Sequence, residues 1–185
     1  MNQQPPPPKE IFSMPNNLEI DDQVIYAIGA LVVMWATAES LFWGLFNTFT
    51  AKEGTETSAV LWLSVKNTSS RIELIRNLAR QHVSDDLCKR INECARDFES
   101  VSRLRNIFCH AYYRGDPVSQ RLATVMSSAT SAKNGIVHET MTADADLVAR
   151  IVKGIETILP LKQRIAEVLD DVRASLSLPP LKWNE

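Results

Sequence analysis

Three observations predict an all-α fold, an up-and-down bundle of four to five helices with a small β-hairpin insertion before the last long helix. Apolar residues recur at spacings of three and four along most of the 185 residues, as on helices buried along one face. Hydrophobic residues make up 45% of the chain, and six glycines and nine prolines are near average usage, which is typical of one globular domain. The helical period is lost between Ser119 and Met141, where the hairpin is expected.

The chain divides into three parts. Residues 1–18 begin MNQQPPPPKE, which predicts a disordered proline-rich arm without a secretion signal. Residues 19–176 form the helical domain, and residues 177–185 form an irregular tail. A net charge of −2 excludes a protein that coats polyanions along its whole surface. Three irregularly spaced cysteines favour a reducing, cytoplasmic location and predict no structural metal and no cofactor.

The first helix is predicted from Ile20 to Ala51. One apolar stripe predicts a buried face: Ile25, Ile28, Val32, Trp35, Phe42, Phe46 and Phe49. A second apolar stripe lies beside it: Val24, Leu31, Met34, Ala38, Leu41 and Leu45. A membrane span is the alternative, since the 16 residues from Gln23 to Ala38 carry no formal charge. That run is shorter than the roughly 20 residues a bilayer requires, and Glu39 interrupts it. We therefore predict no membrane association and a first helix that is central or lies at a subunit interface.

Caps and breaks place the next two helices. Thr55 or Thr57 caps a second helix that runs to His82, with a break expected at residues 67–70, which are weak helix formers. Ser84 caps the third helix, and this helix should stop near Gly115.

The hairpin and the last helix complete the domain. Residues 122–126 and 136–141 are the expected strands, with Asn134 and Gly135 in the turn between them. Thr142 is expected to start the last long helix.

Polar side chains converge near the end of the third helix. At about 100° per residue, Arg103, Asn106, His110 and Tyr113 share one side, which the long Arg105 side chain can reach. RNA carries its own nucleophile, so its cleavage requires a proton acceptor, a proton donor and positive charge at the phosphate. An imidazole can transfer protons near neutral pH, and a guanidinium supplies the charge. Three side chains at this end of the helix are predicted to bind RNA: Arg103, Tyr113 and Arg114.

The segment Arg105-Asn106-x-x-x-His110 resembles the R-(polar)-x(3 to 5)-H signature of HEPN-domain proteins. The resemblance covers about residues 20–176 and includes residues 35–40 and 71–75, which are similar to small bacterial HEPN-like proteins. It implies a dimeric endoribonuclease that cuts RNA without a metal and leaves a cyclic phosphate. By this resemblance Arg105 would hold the phosphate, Asn106 would orient it and His110 would transfer a proton.

Two classes of function remain open at this point. One is a HEPN-like RNA endonuclease that acts in stress or phage defence. The other is a non-catalytic dimeric interaction module, or the helical partner of a nucleotidyltransferase, because many HEPN domains have such roles. One helix supplies a single histidine, so the chemistry favours a homodimer. RNA and an antitoxin-like protein are the further partners expected.

Glu39 falls in the register of the buried face of the first helix. An unpaired buried carboxylate costs several kcal/mol, so Glu39 requires a partner. Arg71 and Arg105 are the two candidates, because each lies near the apolar side of its own helix. The alternative is that Glu39 itself transfers protons in the cleft.

Overall fold

A computed structural model of the protein describes residues 14, 18–119, 121–131 and 135–179. The predicted arm, apart from Met14 and Leu18, and the tail beyond Pro179 lie outside these residues. The helices are α1 (Ile20–Phe49), α2 (Thr55–Ser64), α3 (Thr68–His82), α4 (Asp85–Cys109) and α5 (Ala145–Ser175). The strands are β1 (Tyr112–Gly115), β2 (Leu122–Ser131) and β3 (Gly135–Thr142). The predicted all-α bundle with a small β insertion is confirmed.

The core lies between α1, α4 and α5, with α1 packed most extensively against α5. Both long helices contribute a line of fully buried aliphatic and aromatic side chains: Val24, Leu31, Phe42 and Leu45 from α1, and Ile151, Ile155, Ile158 and Ile165 from α5. The α4 helix adds Ile91, Phe98 and Phe108. The bundle is therefore held by apolar faces that are distant in sequence and meet across three helices.

The N-terminal end of α1 buries the second of the two predicted stripes and not the first. Ile25 is 58% exposed, whereas Val24 and Ala27 are fully buried. Nearly every side of this helix is apolar, so the packing of α5 decided which side faces the core. Val33 is also 63% exposed, and α1 therefore presents an uncharged apolar strip to solvent.

By length and composition α1 could cross a membrane, although only a third of its most apolar window is buried in the bundle. Core helices of soluble proteins meet the same criteria.

Local signals agree with the prediction at some helix starts and not at others. The N-cap residue of α2 is Gly54 and not Thr55 or Thr57, and no side chain caps this helix; the φ of Gly54 is +84°, a conformation that favours glycine. The expected break separates α2 from α3, and the Asn67 side chain accepts a hydrogen bond from the Ser70 backbone N–H at 2.7 Å. Ser84 caps α4 as predicted. These caps depend on neighbouring residues alone, which is why the sequence is sufficient to locate them.

The β insertion is larger than predicted. The α4 helix ends at Cys109 and not near Gly115, because residues 112–115 form strand β1. The sheet is antiparallel in the order β1-β2-β3. Gly135 belongs to β3, and Asn134 lies outside the described residues. The four-residue strand β1 is stabilised by pairing with β2. The periodicity of so short a segment could not predict this pairing.

The start of the last helix also differs from the prediction. Asp144 caps α5 by accepting a hydrogen bond from the Leu147 backbone N–H at 3.0 Å. Thr142, the expected starting residue, is the last residue of β3.

Candidate functional site

A cavity of about 540 Å³ lies between the α2–α3 loop and the C-terminal half of α4. We call it the α4 cavity. Its lining residues are Lys66, Asn67, Thr68, Ser69, Glu99, Ser102, Arg103, Arg105, Asn106 and His110. It thus brings together the three predicted catalytic residues and one of the three predicted RNA-binding residues.

Arg105 is held in place by two neighbours. Its guanidinium carbon lies 4.3 Å from the centre of the Trp35 ring, which is cation–π geometry. Its Nη1 donates a hydrogen bond to Asn106 Oδ1 at 2.9 Å. Its Nε is buried and has no hydrogen-bond partner among the described residues. The other N–H groups of Nη1 and Nη2 have no protein acceptor in this part of the chain, so they remain available to an anion.

Trp35 is itself fixed from two sides. Its Nε1 donates to Ser102 Oγ at 2.8 Å, and its ring stacks on Phe98 with 5.6 Å between the ring centres. Ser102 Oγ in turn donates to the Phe98 carbonyl oxygen at 2.8 Å. The aromatic face under Arg105 is therefore rigid. Sequence reasoning placed Trp35 in the core and missed this role, because the contact joins residues about 70 positions apart.

His110 is the residue at which α4 ends. Its backbone N–H donates to the Asn106 carbonyl oxygen at 3.1 Å, and its side chain is exposed. The imidazole has no hydrogen-bond partner in the part of the chain that the structure describes. The His110 side chain lines the same cavity as Arg105, and an imidazole can transfer protons near neutral pH.

Tyr113 and Arg114 lie on β1 and do not line the α4 cavity. The prediction that Tyr113 shares a helix face with His110 is wrong, because α4 ends at Cys109. Its hydroxyl donates to the Phe108 carbonyl oxygen at 2.5 Å, and burial raises the pKa of the phenol. Tyr113 therefore provides a hydrogen-bond donor to a backbone carbonyl in the last turn of α4.

Glu39 is paired with Arg71 and not with Arg105. Arg71 Nη1 lies 3.1 Å from Glu39 Oε1, and Thr68 Oγ1 donates to the same oxygen at 3.4 Å. Arg71 also donates from Nε to the Val65 carbonyl oxygen at 3.0 Å, with its guanidinium 5.0 Å from the Trp62 ring centre. Glu39 is half-buried, with 20% of its side chain exposed, and it does not line the α4 cavity.

Positive charge exceeds negative charge in the α4 cavity. Lys66, Arg103 and Arg105 line it, and Glu99 is the carboxylate among the lining residues. Both oxygens of Glu99 accept hydrogen bonds from Arg76, each at 2.9 Å. None of the three cations forms an ion pair with a carboxylate among the described residues, and Glu99 is already paired with Arg76. Sequence reasoning missed Lys66, a single lysine between two helices that no spacing pattern distinguishes.

No group of three or more His, Cys, Asp or Glu side chains is arranged to hold a metal ion within residues 14, 18–119, 121–131 and 135–179. Comparisons with protein-family models, with curated proteins and with solved structures gave no match to this chain. The α4 cavity and the motif that lines it are therefore the features of this chain that bear on function.

Proposed function

We propose that the protein is a HEPN-like RNA endonuclease that cuts without a metal ion. One observation carries this proposal: Arg105, Asn106 and His110 line a single cavity in which cations outnumber carboxylates. An excess of unpaired cations in a cavity favours an anionic ligand, and a proton-transfer group beside them suits a phosphodiester.

The proposed reaction uses the substrate's own 2′-hydroxyl. His110 accepts the proton of that hydroxyl while its oxygen attacks the adjacent phosphorus. The bond between phosphorus and the 5′-oxygen breaks, and this oxygen takes a proton from a general acid. The products are a 2′,3′-cyclic phosphate and a 5′-hydroxyl. The free N–H groups of Arg105 neutralise the charge that builds on the phosphate oxygens, and Asn106 holds the guanidinium in position.

We infer that the general acid comes from a second copy of the chain. Of the described residues that line the α4 cavity, His110 is the one histidine. A two-fold dimer would bring a second His110 to the reaction. The uncharged strip of α1 around Ile25 and Val33 supports association, since both side chains are more than half exposed.

Cleavage of labelled RNA by the purified protein in EDTA tests the proposal. We expect His110→Ala to lower the rate about 100-fold or more, as loss of a general acid or base does. His82→Ala is the matched control, because His82 is exposed at the end of α3, away from the cavity. Product ends are identified by phosphatase treatment, which leaves a cyclic phosphate intact. Equal cleavage by His110→Ala and the wild type would refute the assignment.

The second candidate is a non-catalytic dimeric interaction module, and the exposed apolar strip of α1 favours it. This function predicts a bound partner in pull-downs and no cleavage of any RNA. If expression of the protein arrests growth and His110→Ala relieves the arrest, the nuclease is favoured. We propose a cytoplasmic location for either function, and recovery of the protein in the membrane fraction would contradict it.

A further inference from the structure

The arginines near the end of α4 differ from most others in the protein. Carboxylates lie within 4.0 Å of Arg71, Arg76, Arg80, Arg90, Arg96, Arg121, Arg150 and Arg164. Arg103 and Arg105 have no such partner among the described residues, and neither has Lys66, on the opposite wall of the α4 cavity. Most surface arginines here are neutralised within the chain, so two unpaired arginines in one cavity favour an external anion there. Lys66 differs from the exposed Lys153, which also has no carboxylate partner among the described residues, because Lys66 lines this cavity.

The loop that carries Lys66 is held on both sides of this residue. The carbonyl oxygen of Val65 accepts a hydrogen bond from Arg71, and the hydroxyl of Thr68 donates to Glu39. Glu39 belongs to α1 and Arg71 to α3, so their ion pair ties the loop to the bundle. Lys66 therefore stands on a fixed wall, which reduces the entropy lost when its ammonium group binds a ligand.

We propose that Lys66 binds a backbone phosphate of the RNA, on the wall of the cavity opposite Arg103 and Arg105. This inference rests on the proposed function, and it adds a substrate contact that the motif on α4 does not contain. The RNA backbone would pass between the α2–α3 loop and α4, with phosphates contacted from both walls.

Binding of a fluorescent single-stranded RNA with 2′-O-methyl groups throughout tests this contact, because the probe has no nucleophile and is not cut. We expect Lys66→Gln to weaken binding about three- to tenfold and to reduce the salt slope of log K by about 0.7, the value for one phosphate contact on a single strand. Lys66→Arg should retain both the affinity and the salt slope of the wild type. Lys153→Gln is the matched control. Lys153 is exposed on α5, so this substitution removes the same charge outside the cavity. The thermal midpoint of each variant confirms that it is folded.

The outcomes separate this inference from the proposed function. Weaker binding and a smaller slope in Lys66→Gln, with Lys153→Gln unchanged, support the phosphate contact. Equal affinity and slope in Lys66→Gln and the wild type overturn it, while cleavage that depends on His110 would leave the nuclease standing. A wild type that neither binds nor cuts RNA refutes both.

Discussion

Replacement of Trp35 measures how much the aromatic face under Arg105 contributes to cleavage. Trp35→Leu removes the ring that lies 4.3 Å from the guanidinium carbon. A partly desolvated cation–π contact is worth about 1–2 kcal/mol, and its loss in the transition state should lower the cleavage rate about 5- to 30-fold. Trp35→Phe retains an aromatic face and loses the hydrogen bond to Ser102, so its rate should stay within about twofold of the wild type.

Both substitutions also change stability, and the two effects must be separated. Loss of the hydrogen bond in Trp35→Phe costs about 1 kcal/mol, while the cavity left by Trp35→Leu costs about 3 kcal/mol. In a chain of this size 1 kcal/mol lowers the thermal midpoint by about 2–4 °C. Ile165→Ala is the matched control, because Ile165 is fully buried on α5 and does not line the α4 cavity. It should lower stability and leave cleavage per folded molecule unchanged.

The assay is single-turnover cleavage at saturating RNA, corrected for the folded fraction measured by circular dichroism. A double-mutant cycle with Arg105→Ala completes it: once the guanidinium is absent, Trp35→Leu should have no further effect on the rate. Wild-type cleavage by Trp35→Leu would refute the positioning role. An equal loss in Trp35→Phe and Trp35→Leu, or an undiminished effect of Trp35→Leu without Arg105, would also refute it.

Two further predictions concern stability and its pH dependence. Glu39→Gln leaves the half-buried Arg71 without its carboxylate and should cost about 1–3 kcal/mol in urea denaturation. Its single-turnover rate at saturating RNA should equal that of the wild type, and a rate lowered 100-fold would instead identify Glu39 as a proton-transfer residue. Hydrogen bonds from Ser119 and Val118 lower the pKa of Asp116 below its ordinary 3.8. Because the folded pKa is the lower one, the stabilisation is present above pH 3.8 and is lost as the pH falls through the folded value. The stability advantage of the wild type over Asp116→Asn should therefore be constant near neutral pH and decrease in acid; a difference that does not change with pH would contradict this.

The helices and part of the candidate site could be predicted because the signals that define them are local. Asn67 and Ser84 cap helices through hydrogen bonds to residues three positions away. Helical spacing placed Asn106 and His110 on one side of the helix, and the length of the Arg105 side chain predicted that it could reach the same surface. The third helix was predicted too long, because Tyr112 and Tyr113 continue a plausible helical pattern until β2 pairs with them.

The amino-acid sequence by itself determined that α1 is apolar on nearly every side, that Glu39 requires a cationic partner, and that a guanidinium, an amide and an imidazole gather where α4 ends. Only the tertiary structure decided which face of α1 is buried and that Glu39 binds Arg71, which left Arg105 to lie against Trp35. It also placed Lys66 across the cavity from α4. The physical reason is that a sequence period reports on one element at a time, whereas ion pairs, ring contacts and cavities depend on the distance between elements, and packing of the whole core sets that distance.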